Sequence, residues 1–128
     1  MIYCIIGFNT NGENRFYRTY TEIDIEEVKS HFNNKSVSIR YLKNYNAVFH
    51  RYANMVIAVC VDKEENLLLV GTIINRLMQT FDLLISNICE LNFVYALDRI
   101  YEVIDRFIMD GKIIEMEPIK LANALNNE

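Results

Sequence analysis

Few residues in this chain have side chains suited to catalysis, and they lie far apart in the sequence. The cysteines, Cys4, Cys60 and Cys89, are each surrounded by apolar residues and form no CxxC pair. His31 lies near the end of a predicted exposed helix, and His50 has no Ser or Cys nucleophile nearby. We therefore expect no enzyme activity, no metal site and no cofactor. We expect the cysteines to be buried thiols in a reducing compartment.

The polar residues of greatest interest interrupt two apolar stretches in the second half of the chain. The segment Asn87–Asn92 contains an amide, a thiol and a carboxylate, those of Asn87, Cys89 and Glu90. Apolar residues on either side recur at spacings of three and four, as on one face of a helix. Upstream they are Leu67, Val70, Ile74, Leu77, Phe81, Leu84, Ile85 and Ile88; downstream they are Val94, Leu97, Ile100, Tyr101, Ile104 and Ile108. We expect a corner between two long helices, at which another group is held.

Apolar runs and turn residues predict strands in the first half of the chain. The strands are expected at Met1–Phe8, Phe16–Tyr20, Val37–Tyr41, Ala47–Tyr52 and Met55–Val61, with turns at Asn9–Gly12 and Asn44–Asn46. Met55–Val61 is almost wholly apolar, which is typical of a central strand covered on both faces. One helix interrupts the strands over Thr21–Phe32, with Thr21 as its cap.

The second half is helical. Of the two long helices, the second is expected to end at Gly111 in the left-handed conformation, and Pro118 is expected to open a short helix over Pro118–Leu125. Strands first and long helices last indicate the α+β class, with an antiparallel sheet.

Length indicates one globular domain, over residues 1–128, and the cysteine usage indicates a cytosolic protein. Apolar residues make up 52% of the chain and the net charge is −4, so neither disorder nor a broad nucleic-acid-binding surface is expected. No charged-then-apolar leader opens the chain, and uncharged runs such as Asn66–Asn75 fall short of the about 20 apolar residues that span a bilayer. Any membrane association is expected to be peripheral.

Several motifs together resemble the small (sigma) subunit of clathrin adaptor complexes. They are Phe49-His50-Arg51-Tyr52-Ala53-Asn54-Met55, then Val59-Cys60-Val61-Asp62, then Asn87-Ile88-Cys89-Glu90-Leu91-Asn92-Phe93, and the stretch from Tyr101 through Val103-Ile104-Asp105 to Gly111. The opening Gly12-x-x-Arg15 hairpin with Tyr20 is similar too. The resemblance therefore covers almost the whole chain.

The resemblance implies a longin-like, or SNARE-like, fold in which helices flank a five-stranded antiparallel sheet. Such a subunit is lodged against a large helical-solenoid subunit of a heterotetrameric adaptor. It takes part in vesicle-mediated transport, on the cytosolic face of Golgi, endosomal or plasma-membrane coated vesicles, and it associates with the membrane only through the complex.

The resemblance also implies a site for acidic dileucine signals in the tails of membrane-protein cargo. Its leucine pocket would consist of Ala53, Met55, Met78, Asn87, Ile88 and Phe93. Arg15 would bind the upstream acidic residue, and the large subunit would share this recognition. His50 stands where the family commonly has a second basic residue, so the site is expected to bind its acid more strongly on mild acidification.

The same residues allow other interpretations. Met, Ile and Phe at helical spacing are more often ordinary core, Asn87 is of a type that caps helices, and Arg15 is by default a solvated charge. The same scaffold without a leucine pocket would be a coatomer zeta-like subunit or a free longin-type trafficking module. An unrelated small enzyme is a third hypothesis, which no residue pattern supports.

Overall fold

Five antiparallel strands form one sheet in the computed structural model, which describes residues 1–85, 90–114, 117, 118, 120, 123 and 125. The strand order is β2-β1-β5-β4-β3, and every neighbouring pair is antiparallel. The strands are β1 (Ile2–Asn9), β2 (Asn14–Thr19), β3 (Val37–Tyr41), β4 (Asn46–Tyr52) and β5 (Met55–Val61); β6 (Ile108–Met109) and β7 (Lys112–Ile113) form a separate hairpin. The predicted five-stranded antiparallel sheet is confirmed.

Helices cover both faces of this sheet. They are α1 (Ile25–Ser30), α2 (Leu67–Leu84), α3 (Glu90–Tyr95) and α4 (Leu97–Phe107). The long helices α2 and α4 pack on one face and α1 packs on the other. All seven residues of β5 are buried, and alternate side chains join the two cores. The prediction of a central strand covered on both faces is correct.

The first helix is shorter than predicted, because a different residue caps it. The Asp24 carboxylate accepts hydrogen bonds from the backbone N–H groups of Glu26 at 3.0 Å and Glu27 at 3.3 Å. These bonds satisfy two of the unpaired donors at a helix start, so α1 begins at Ile25. The prediction of a Thr21 cap is wrong. Ile23, outside the helix, still packs on the α1 core.

The second predicted long helix is divided in two. Ala96 (φ −103°, ψ 27°) separates α3 from α4. The backbone N–H of Ala96 donates to Asn92 at 2.8 Å, and that of Ile100 donates to Ala96 at 3.0 Å, so hydrogen bonding continues across the break. Because the buried faces of α3 and α4 meet one core, the apolar spacing runs on without marking the break.

Gly111 is a turn residue and does not end the preceding helix. The helix α4 ends at Phe107, and β6 and β7 follow. Asp110 (φ 51°) and Gly111 (φ 79°) form the two-residue turn between these strands. Positive φ at both positions is typical of the type I′ turn, which favours Asp-Gly. The predicted left-handed conformation is correct, but the predicted helix end is wrong.

Cys4 and Cys60 are free, buried thiols, as predicted. They are register partners on β1 and β5. Their mutual hydrogen bond, together with burial, raises the pKa of the Cys60 thiol, which therefore stays protonated. Cys89 lies outside the described residues. Nucleophilic chemistry is not indicated for the two described thiols.

The helix α2 serves as a core helix. By length and composition alone it is the one described helix that meets the requirement for crossing a membrane. One side of it, however, packs on the sheet through buried Val70, Ile74, Leu77 and Phe81. Further along, Pro118, Lys120, Asn123 and Leu125 are helical, in agreement with a helix over Pro118–Leu125; the intervening residues lie outside those described.

Candidate functional site

A surface groove lies between the turn that joins β4 to β5 and one side of α2. Its volume is about 610 Å³. The described residues that line it are Tyr52, Ala53, Asn75, Met78, Gln79 and Asp82. Both apolar and polar side chains therefore face the groove.

Local backbone geometry places these residues. Ala53 has a left-handed backbone (φ 53°) in the tight turn after Tyr52, and its carbonyl accepts a hydrogen bond from Arg51 Nε at 2.9 Å. On α2, the groove residues follow one another at the spacing of a single helix face. They are Asn75, Met78, Gln79 and Asp82.

The structure brings two of the six predicted pocket residues into the groove. Ala53 and Met78 line it. Met55 and Phe93, only 2% and 1% exposed, are buried in the core and are not accessible to a peptide in this structure. Asn87 and Ile88 lie outside the described residues.

Four lining residues were missed in the sequence: Tyr52, Asn75, Gln79 and Asp82. Helical spacing was the available signal for three of them, because Asn75 lies three residues before Met78, Asp82 lies four after it, and Gln79 lies four after Asn75.

Phe93 belongs to an aromatic cluster with Phe16 and Phe81, on the face of the sheet that α2 covers. Its ring centroid lies 5.8 Å from that of Phe16 on β2 and 5.7 Å from that of Phe81 on α2. Phe16 in turn lies across from Gly7 in the β1–β2 register. The cluster joins α3, α2 and the sheet, which fixes the position of Glu90 at the start of α3.

Arg15 is already paired with a carboxylate of its own chain. Its Nε and Nη2 donate to Glu90 Oε1 at 3.1 and 2.8 Å, and Asn9 Nδ2 donates to the same oxygen at 2.7 Å. Arg15 Nη2 also lies 3.8 Å from Glu13 Oε2. The Asn9 bond and the Arg15 guanidinium hold the pKa of Glu90 below its ordinary value.

The Arg15 cluster and the groove lie at the same end of the sheet. Asn9, at the end of β1, is the register partner of Met55 on β5. The backbone N–H of Thr10 donates to the carbonyl of Asn54, in the turn beside Ala53, at 3.0 Å. A single ligand is therefore able to meet both sites if it lies across the strand ends.

The family comparison decides the class of protein. Residues 1–128 match the family model described as clathrin adaptor complex small chain. The chain belongs to this family.

Relatives in the small-chain family align over almost the full length. An AP-2 complex sigma subunit of Dictyostelium discoideum is 32% identical over 94% of this chain and 90% of its own length. The AP-1 complex subunit sigma-1 of the same organism is 26% identical, over 99% and 88%. The AP-4 complex sigma subunit of Arabidopsis thaliana is 28% identical, over 91% and 93%.

The fold of the small-chain family is found in a structure described as a homology model of the full-length AP-3 complex in a stretched open conformation. One of its chains matches with a TM-score of 0.73, over 99% of this chain and 92% of that chain, at 17% identity. The α+β, longin-like class is confirmed. The chain is a small subunit of an adaptor complex of vesicle trafficking, and its relatives are adaptor subunits.

His50, on β4, is buried against α2. It is 7% exposed, its Nδ1 lies 3.3 Å from the Tyr52 hydroxyl, and that hydroxyl donates to Asn75 Oδ1 at 3.3 Å. Burial lowers the pKa of His50, and a hydrogen bond with the Asn75 side chain opposes this only in part. Mild acidification is therefore a poor way to charge His50, and the expected gain in acid binding from this residue is not supported.

Acidification is expected to destabilise the fold through His50. Because its pKa is lower in the folded state, the unfolded chain binds the proton more tightly. The contribution of His50 to the free energy of unfolding is therefore complete above its pKa in the unfolded chain, about 6.5. It falls as the pH drops from there toward the pKa of His50 in the folded state. Urea denaturation between about pH 7 and pH 5 should show this decline, and His50→Gln should flatten it. His31→Gln removes the other histidine as a control; an equal flattening there would contradict the assignment to His50.

Proposed function

We propose that this adaptor small chain stabilises the core of a heterotetramer by docking on a large helical-solenoid subunit. We further propose that it helps to bind acidic dileucine signals in cargo tails, on the cytosolic face of coated vesicles of the Golgi, endosomes or plasma membrane. The observation that carries the cargo proposal is the groove beside Ala53 and Met78, at the same end of the sheet as Arg15. We also propose that residues 1–128 form a single domain.

The spacing of the groove and Arg15 suits a peptide of the form Glu-x-x-x-Leu-Leu. Three residues separate the acid from the first leucine, so these two side chains lie four residue steps apart, a reach of about 13 Å in extended chain. Arg15 lies on β2, and the groove lies at the β4–β5 turn, which is two to three strand spacings away, or about 10–14 Å. An extended tail across the strand ends would meet both.

The expected affinity follows from the leucines. Burying each leucine side chain contributes roughly 1.5–3 kcal/mol, against which ordering of the peptide must be set. A dissociation constant in the micromolar range corresponds to about −8 kcal/mol. Met78 suits a pocket that must accept varied apolar side chains, because its side chain is flexible and polarizable.

Two groups of exposed apolar residues support docking on a partner. On α3, Leu91, Val94 and Tyr95 stand on one helix face and are 48–80% exposed. On the edge strand β3, Val37, Ile39 and Tyr41 are exposed while Ser38, between them, is buried. Clustered exposed apolar side chains are typical of interfaces with other proteins.

A scaffold role without cargo binding is the second candidate, either coatomer zeta-like or as a free longin-type module. The pairing of Arg15 with Glu90 favours it, because a cation that already binds a carboxylate attracts a second one less strongly. The fold and the exposed apolar groups are compatible with both candidates.

The experiment first isolates the complex through a tag on this chain and identifies a large helical partner by mass spectrometry. The complex is then titrated by calorimetry with the Glu-x-x-x-Leu-Leu peptide. Changing both leucines to alanine should weaken binding at least about ten-fold, because each loses buried carbon. Equal affinity for the two peptides would leave only the scaffold role.

Met78→Gln should weaken leucine-peptide binding by about three-fold or more, because it replaces an apolar groove wall by an amide of similar length. Thr72→Gln is the matched control, since Thr72 is exposed on α2 but does not line the groove. Equal losses in both variants would show that the groove is not the binding site.

A further inference from the structure

The Glu90 carboxylate occupies a site that is built as a carboxylate receptor. One oxygen, Oε1, accepts three hydrogen bonds, two from Arg15 and one from Asn9. Asn9 is 4% exposed, and its Oδ1 is held by the backbone N–H groups of Asn11 at 3.0 Å and Glu13 at 2.9 Å. This orients its amide nitrogen, which donates to Glu90 and, at 3.1 Å, to Glu13 Oε1. A fixed amide donor beside a guanidinium is suited to binding an acidic side chain.

The charges around Arg15 oppose simple addition of a second acid. Arg15 is the one cation of the described cluster, and it lies beside the carboxylates of Glu90 and Glu13. An incoming carboxylate would therefore approach a group with a net charge of about −1. It is able to accept the hydrogen bonds from Arg15 and Asn9 only if Glu90 releases them.

We infer that Glu90 is an internal occupant of the acid-binding site, which the acidic residue of a dileucine signal displaces. The inference rests on the proposed cargo function. Glu90 thereby sets both the affinity of the site for an acid and its preference for an acidic over a neutral residue. Asn9 and Arg15 serve as the receptor in both states.

Displacement is compatible with how Glu90 is held. Its side chain is 29% exposed, so the displaced carboxylate is able to turn to solvent and remain charged there. The start of α3 stays in place without the ion pair, because Phe93 is 1% exposed and packs on Phe16 and Phe81 in the aromatic cluster. Partly exposed ion pairs contribute little net stability, so their exchange has a small cost.

The test uses the assembled complex and two peptides that differ only in the acidic position, Glu-x-x-x-Leu-Leu and Gln-x-x-x-Leu-Leu. Glu90→Gln keeps an oxygen that accepts the bonds from Asn9 and Arg15 but removes the competing charge. We expect this variant to bind the Glu peptide about three- to ten-fold more tightly than the wild type does, and to bind the Gln peptide with unchanged affinity. The preference for Glu over Gln should rise by the same factor.

The control is a second arginine–carboxylate ion pair on the same strand. Arg18 Nε and Nη2 donate to Asp105 at 2.9 and 3.0 Å, linking β2 to α4. Asp105→Asn neutralises this carboxylate without touching the Arg15 cluster, so it should leave the Glu-to-Gln preference at its wild-type value. Gel filtration of both variant complexes checks that assembly is intact.

The outcomes separate the inference from the function on which it rests. A normal preference for Leu-Leu over Ala-Ala, with a Glu-to-Gln preference that is unchanged or reduced in Glu90→Gln, overturns the inference alone. Such a reduction would make Glu90 a positioning residue for Arg15. Equal binding of Leu-Leu and Ala-Ala peptides by the wild-type complex overturns the cargo function and the inference together.

Discussion

Gly7→Ala should lower the free energy of unfolding by about 2–3 kcal/mol, as expected for overpacking in a filled core. A methyl group at position 7 would overlap Cε1 and Cζ of the Phe16 ring, which lies across the strand pair. Phe16 has no room to withdraw, because it packs on Phe81 and Phe93 at centroid distances of 6.3 and 5.8 Å. The measurement is urea denaturation followed by circular dichroism.

Gly71→Ala is the matched control for this substitution. The nearest described atom to a methyl group there is His50 Nε2 at 3.9 Å, an ordinary contact distance. Because Gly71 lies inside α2, alanine should stabilise the helix by up to about 1 kcal/mol. Destabilisation by both alanines to the same extent would contradict the account based on Phe16.

Phe93→Ala should lower the free energy of unfolding by about 3–5 kcal/mol, the range for a phenylalanine removed from a core. Phe93 is 1% exposed and contacts both Phe16 on β2 and Phe81 on α2. Its loss therefore leaves a cavity between the sheet and α2. Chemical denaturation again provides the measurement.

Tyr95→Ala, on the same short helix, is the control, because Tyr95 is 80% exposed. It should change the free energy of unfolding by less than about 0.5 kcal/mol. The resemblance to sigma subunits implies that Phe93 lines the leucine pocket, whereas in the structure it is a core residue, and the two roles predict different results. A small stability loss in Phe93→Ala together with a large loss of leucine-peptide binding would favour that pocket role over the core role.

The sheet was predictable because its strands have strong local signals. The apolar run of β5 is typical of a covered central strand, and the Asn-rich turns bounded its neighbours. The helix limits were less predictable, because they depend on single contacts. Asp24 rather than Thr21 caps α1, and Gly111 serves a hairpin that follows α4.

The candidate site was only partly predictable, since sequence spacing does not distinguish a groove wall from the core behind it. Met78 and Phe93 are both apolar residues on helices, yet the first lines the groove and the second fills the aromatic cluster. For Arg15, the charge was evident, but its bond to Glu90 joins residues 75 positions apart in the chain. Only the fold could bring these two together.

The place of β5 between β1 and β4 has a consequence for how the chain is made. The hairpins β1–β2 and β4–β5 each form from nearby residues, but β1 pairs with β5 along its whole length only when Val61 has been synthesised, since Ile2 and Val61 are register partners. Until then, one side of β1 presents unpaired N–H and C=O groups, which other chains are able to recruit. On a ribosome, the growing chain is therefore most exposed to aggregation before its fifth strand emerges, and pairing of β1 with β5 is the long-range step expected to limit the folding rate.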